Sequence, residues 1–189
     1  MTGKTHQIIG ISASLTYFVA STPPTYNPAT FGAILAFSYI GALLPDIDQP
    51  GSKLWNLLPF GHVAAEITDP FLEHRNITHS LLGVAIVGTA FYFIFRSLPS
   101  YWGINTHLLF ITTLMAYTFH LLADMFTAEG VPLLFPYHYF FGIPPKPFEG
   151  IRIVTGKWFE NLIIFPLITL YLVIFIWLNF SNFKTSLFK

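Results

Sequence analysis

The chain has 189 residues, of which 53% are hydrophobic and only 10% charged, with a mean hydropathy of +0.60 and a formal net charge of zero. A soluble globular domain carries about a quarter charged residues, so this composition reads as a membrane protein. It offers no basic footprint for nucleic acid, and with no Cys there is neither a disulfide framework nor a thiolate metal site, so any metal must be held by His and carboxylate.

Five apolar runs, at about 7–22, 29–45, 79–98, 105–126 and 161–180, approach the roughly 20 residues a helix needs to cross the hydrocarbon core. The expected architecture is therefore a single all-α membrane domain over residues 1–189. The first run follows His6 and Lys4, and its small residues Ala20 and Ser21 imitate a signal peptide. Four further spans after it favour a retained helix. Ser12, Ser14 and Thr16 in the first run, with Gly32 and Ser38 in the second, suit helices packed closely on neighbours rather than facing lipid throughout.

The second run ends at Pro45, followed by Asp46 and Asp48. In an extended or turn segment residues two apart point the same way, so both carboxylates are expected to converge on one cationic site. Without a neutralising charge they would repel. Before the third run comes His74-Arg75-Asn76-Ile77-Thr78-His79-Ser80. Thr78 or Ser80 can cap the helix, whose amino end suits an anion, and Arg75 supplies a planar fork for phosphate or carboxylate.

His120 and Asp124, four apart at the end of the fourth run, fall on one helical face within reach of one ion, and Thr127 continues that face. An Asp at that depth with no basic residue within a turn is costly unless it has a functional partner. Residues 132–141 are aromatic and broken by Pro, which fits an interfacial flap or an aromatic belt, with His138 as an interfacial residue. Residues 55–60 could form a second such element. The fifth run is the cleanest, and Glu160 stands just before it.

Threading five spans puts residues 1–6, 46–78 and 127–160 on one side. With the adjoining helix ends, that side gathers all nine Asp and Glu and six of the seven His. It also holds six of the nine basic residues, which favours it as the cytoplasmic face. His6, Asp46, Asp48, His74, His79, His120, Asp124 and Glu160 thus form a candidate ring of metal ligands contributed by all five spans. A transporter would place such groups near the midplane or on both faces, and a scaffold site would close its coordination.

Five elements, Met1-Thr2-Gly3-Lys4-Thr5-His6, Leu43-Leu44-Pro45-Asp46-Ile47-Asp48, His74 to Ser80, His120-Leu121-Leu122-Ala123-Asp124 with Thr127 and Gly130, and Thr155-Gly156-Lys157-Trp158-Phe159-Glu160, resemble in order the membrane-bound metal-dependent hydrolases of the YdjM type. The resemblance runs nearly end to end and implies a prokaryotic inner-membrane hydrolase dependent on a metal. The segment 49–73 looks longer than in compact members. A fainter similarity, to the zinc-dependent phospholipase C and P1 nuclease superfamily, implies His6, Asp46, His79, His120, Asp124 and Glu160 as ligands and phosphoesters as substrates. Residue 156 is Gly where that pattern has His, and the chain begins with Met1 rather than an aromatic residue, so one or two ions are expected rather than three.

The donor types suit Zn²⁺, with Mn²⁺ or Fe²⁺ as alternatives. Asp48 is the expected general base or bridging ligand, and Arg75 and Thr78 the expected anchors for a substrate anion. A site at headgroup depth points to a lipid or lipid-linked phosphoester.

Overall fold

The computed structural model describes residues 1–21, 27–49, 52, 54–55, 77–99 and 103–187. His74, Arg75 and most of the segment 49–73 lie outside the described residues. The fold is all-helical: α1 is Gly3–Ala20, α2 Pro28–Leu43, α3 Leu81–Arg96, α4 Thr106–Met125, α5 Phe165–Leu178 and α6 Phe180–Leu187. A 3₁₀ turn, Leu44–Asp48, continues α2, and a wide π turn, Glu160–Ile164, leads into α5. Among the described residues three helical stretches are long and apolar enough to cross a membrane, Pro28–Asp48, Thr106–Met125 and Glu160–Leu178, while Leu81–Arg96 is apolar but shorter.

The helix starts follow ordinary capping. Asn27 accepts from Ala29 N–H ahead of Pro28, and Asn105 accepts from Leu108 N–H. Ser80, rather than Thr78, caps α3 by accepting from Gly83 N–H at 3.1 Å. The first helix begins earlier than its apolar run, at Gly3, so His6 lies inside the helix rather than before it. Polar residues start this helix because Thr2 at its N-cap is anchored from outside, by its N–H and hydroxyl to Glu160.

α4 is the central element, packed against α1, α2 and α3, and α1 also packs on α2 and α5. Close approach depends on small residues. A Cβ on Gly10 of α1 would meet Ala42 Cβ at 2.7 Å and Ala116 Cβ at 3.2 Å, and one on Gly41 of α2 would meet the Thr113 carbonyl oxygen at 2.6 Å. Away from this junction the core is apolar, with Leu15, Phe18, Ile34, Phe95 and Leu109 buried together. α6 closes that end by setting Phe183 against Phe18 and Phe31.

The outer surface has the opposite character. α5 buries none of its own residues, and Leu167, Val173 and Trp177 on it are exposed, as are Phe93 and Ile94 on α3. Contiguous apolar surface of this kind belongs in lipid. The link from α4 to α5 folds back over one end of the bundle through two isolated bridges, Val131 with Phe141 and Thr127 with Ile153. It presents Tyr137, Tyr139, Phe140, Phe148 and Trp158 outward, the aromatic composition of a membrane interface.

Candidate metal centre

At that same end the chain brings together the start of α1, the 3₁₀ turn after α2, the residues before α3 and the end of α4. His6, His79 and His120 have no solvent exposure and Asp124 has 1%. Among the described residues two overlapping groups of donors result: His6, His120 and Asp124, and Asp46, His79 and His120.

His120 sets the chemistry. Its Nδ1 lies 2.7 Å from the Ala42 carbonyl oxygen, which can only accept, so Nδ1 carries the proton and Nε2 keeps its lone pair. Nε2 is buried without a hydrogen-bond partner. A buried lone pair left without a donor is the position a cation fills. Because Nδ1 is committed to Ala42, His120 can serve a single ion.

Around that lone pair runs a closed circuit of four atoms. His120 Nε2 is 3.5 Å from Asp46 Oδ1 and 3.8 Å from Asp124 Oδ2, and His79 Nε2 is 3.7 Å and 3.8 Å from the same two oxygens. Zinc bonds of about 2.0–2.2 Å give donor–donor edges of about 3.3–3.6 Å, and these four separations match or exceed that range by a few tenths of an ångström. The spacing that put His120 and Asp124 on one face of α4 is observed, and Thr127 turns its hydroxyl back to the Asp124 carbonyl at 2.7 Å. By donor type, these two imidazoles and two carboxylates suit a divalent ion. The Asp46 side chain, 16% exposed, is the open edge of the circuit.

Asp46 and Asp48 do not converge as an extended segment would make them. In a 3₁₀ turn each residue advances about 120°, so residues two apart face different directions. Asp46 reaches the Nε2 side of His79, whereas Asp48 Oδ2 lies 3.3 Å from its Nδ1 and accepts from the Thr78 hydroxyl at 2.7 Å. That is the arrangement of a carboxylate orienting a metal-binding imidazole from behind. Thr78 accordingly holds Asp48, and Tyr117 on α4 donates to the Thr78 carbonyl, fixing the segment ahead of α3.

His6 packs behind Asp124. Its ring stacks on His120, and its Nε2 lies 3.1 Å from Asp124 Oδ1, the oxygen turned away from the four-atom circuit. The Met1 amino group contacts that same oxygen. Glu160 stands outside both donor groups although it is fully buried. Its Oε1 accepts from the Thr2 N–H and hydroxyl, both at 2.7 Å, and from the Thr5 hydroxyl at 2.6 Å, while Oε2 accepts from Gly156 N–H at 2.7 Å. It clamps the start of α1 to the start of α5. His138 is exposed and packs edge-on to Phe135. Trp55 is buried and donates to the Ile47 carbonyl at 2.9 Å, and residues 56–60 lie outside the described residues.

The sequence gives no sign of a role for the Ala42 carbonyl or Tyr117, and it places Thr2 and Thr5 in a motif without assigning them partners. Tyr117 lies three residues before His120 and Thr2 three before Thr5, spacings that carry a signal only once the helices are docked.

A family model described as YdjM inner membrane protein matches residues 1–184. The chain is 33% identical over 144 residues to the inner membrane protein YdjM of Escherichia coli (strain K12), which covers 76% of this chain and 70% of that protein. The Shigella flexneri YdjM protein matches with the same figures. A Bacillus subtilis (strain 168) protein named "Uncharacterized protein YvsG" is 30% identical over 164 residues, 87% of this chain and 88% of its own length. No solved structure matches.

Proposed function

The chain belongs to the YdjM family of inner membrane proteins, and from that premise we propose that it is a membrane-embedded, metal-dependent hydrolase of lipid or lipid-linked phosphoesters. The observation that carries this reading is the buried circuit of Asp46, His79, His120 and Asp124 around an unpaired imidazole nitrogen. Zinc suits imidazole nitrogen and carboxylate oxygen donors, with manganese and iron as alternatives. A bound divalent ion would supply Lewis acidity toward a phosphoryl oxygen and lower the pKa of water from about 16 toward roughly 7.

The residues divide the remaining work. His79 and His120 present Nε2 because Asp48 and the Ala42 carbonyl hold their other nitrogens. Asp46, the partly exposed donor, is the ligand that can yield a position to substrate and the carboxylate placed to take a proton from an incoming water. His6 orients Asp124 through its outer oxygen. The aromatic link beside the site supports a substrate taken from the membrane surface. Six basic residues against three support a cytoplasmic orientation of that surface.

A structural metal is the second reading, because four protein ligands are the usual structural complement. The partial exposure of Asp46 favours the catalytic one. The test is elemental mass spectrometry of detergent-purified protein beside His120→Ala and Asp124→Ala, followed by zinc- or manganese-supplemented turnover of diacyl phospholipid in mixed micelles. We expect one tightly bound equivalent and turnover in the parent, and neither in the variants. Protein that takes up no metal after reconstitution overturns the proposal, and metal without turnover on any phosphoester leaves the structural reading.

A further inference from the structure

A cavity of about 920 Å³ lies between α1, α4 and α5, near the upper end of the range of roughly 300–1,000 Å³ for ligand pockets. α4 and α5 both pack on α1 and leave a gap between their facing sides. The lining is apolar, drawn from residues such as Ile9 and Ala13 of α1, Phe119 and Leu122 of α4, and Ile168 of α5. Its polar groups are largely satisfied within the wall: the Thr16 hydroxyl bonds the Ser12 carbonyl at 2.8 Å and the Tyr171 hydroxyl at 2.7 Å.

Position and length identify the occupant. At one end the groove is walled by Met1, whose amino group contacts the outer oxygen of Asp124, and by Ala123, the residue before Asp124, so it begins behind that carboxylate. Along α4 its wall runs from Met115 to Phe126, about 16 Å at 1.5 Å per residue. That equals one leaflet's half of the roughly 30 Å hydrocarbon core. The gap also continues into lipid-facing surface, since Phe119 and Leu122 on one lip and Tyr171 on the other are exposed. In a bilayer such a cleft fills with hydrocarbon.

We infer that this groove holds one acyl chain of an ester-linked membrane lipid, with the lipid's phosphate directed to the metal centre. The acyl assignment rests on Ser12, which is 5% exposed, lines the groove, and has a hydroxyl oxygen without a hydrogen-bond partner. It lies six residues from His6 on α1, about 9 Å along the axis. An ester carbonyl between phosphate and chain supplies an acceptor at that depth, and an isoprenoid chain has none. The inference extends the hydrolase reading by naming its substrate's lipid class and seat.

The test is photo-cross-linking of the full chain in nanodiscs doped with a phosphatidylethanolamine that carries a diazirine on one acyl chain, with the labelled peptides mapped and metal content measured in the same samples. Labels are expected to concentrate on residues 9–20 and 115–126. Ala13→Trp and Ile168→Trp, which fill the groove from opposite walls, should each reduce that labelling several-fold with metal retained, and Leu170→Trp on the outer face of α5 should not. Ser12→Ala should weaken labelling by the ester lipid, and unlabelled polyprenyl phosphate should compete poorly. Labels spread over α3, α4 and α5 in proportion to exposure, or displacement by polyprenyl phosphate but not by diacyl lipid, would each overturn it. Even labelling of protein that keeps its metal defeats the groove alone, whereas concentrated labelling of metal-free protein defeats the hydrolase reading alone.

Discussion

The imidazole of His6 lies flat on that of His120, with ring centroids 3.5 Å apart and planes 10° from parallel. This contact exists because α1, α2 and α4 meet one turn away, where Gly10 faces Ala42 and Ala116 with no room for another carbon. Gly10→Ala is expected to force the helices apart at a cost of about 1–3 kcal/mol and to lower metal occupancy at limiting metal. Gly32→Ala, which meets nothing within 4 Å, is the control and should gain roughly 0.5–1 kcal/mol from helix propensity. Thermal unfolding in detergent distinguishes them, and equal effects at both positions would contradict the packing argument.

Asp48 and Asp46 flank opposite nitrogens of His79, and their substitutions should separate accordingly. Asp48→Asn keeps every ligand while weakening the group that orients one of them, so metal affinity should fall about 10–100-fold with unchanged stoichiometry at saturation. Asp46→Asn removes a donor and should lose more. Competition titrations against a chelator of known affinity provide the comparison. If Asp48→Asn abolishes binding at saturating metal, Asp48 is itself a ligand.

Glu160→Gln tests the other reassigned carboxylate. The buried side chain accepts four hydrogen bonds that tie Thr2, Thr5 and Gly156 together, and an amide can reproduce those of one oxygen only. A stability loss of about 1.5–3 kcal/mol is expected, the range for a hydrogen bond to a charged group. Metal at saturation should be retained. A folded Glu160→Gln protein that takes up no metal would restore Glu160 to the ligand set.

These two carboxylates mark where the sequence stopped being legible. Apolar runs and a one-sided distribution of acids and His were enough to give an all-helical membrane protein with a polar cluster at one end, because both depend on composition and chain threading. His120 and Asp124 were legible as a pair because helical spacing alone joins them. Asp48 was not, since its direction depends on a 3₁₀ rather than an extended turn after Pro45, a choice made by the docking of that turn on α4. Glu160 was not, since its partners Thr2 and Thr5 lie at the far end of the sequence. Membership in a ring at one depth is a statement about location, and ligation depends on which atoms the neighbours have already claimed.

The strongest consequence of the buried cluster concerns stability. Asp124 and three imidazoles are buried, with Asp46 partly exposed beside them, and His120 Nε2 has no hydrogen-bond partner. An ion bound only to the folded state adds RT ln(1 + [L]/Kd), about 2.7 kcal/mol at one hundred times Kd. Stripping the metal with a chelator should therefore lower the melting temperature of the parent in detergent, and re-adding zinc should restore it. His120→Ala, lacking the central donor, should start lower and respond to neither treatment. A parent insensitive to both, or a His120→Ala protein that responds as the parent does, would show that the four atoms are held together by hydrogen bonding and packing without an ion.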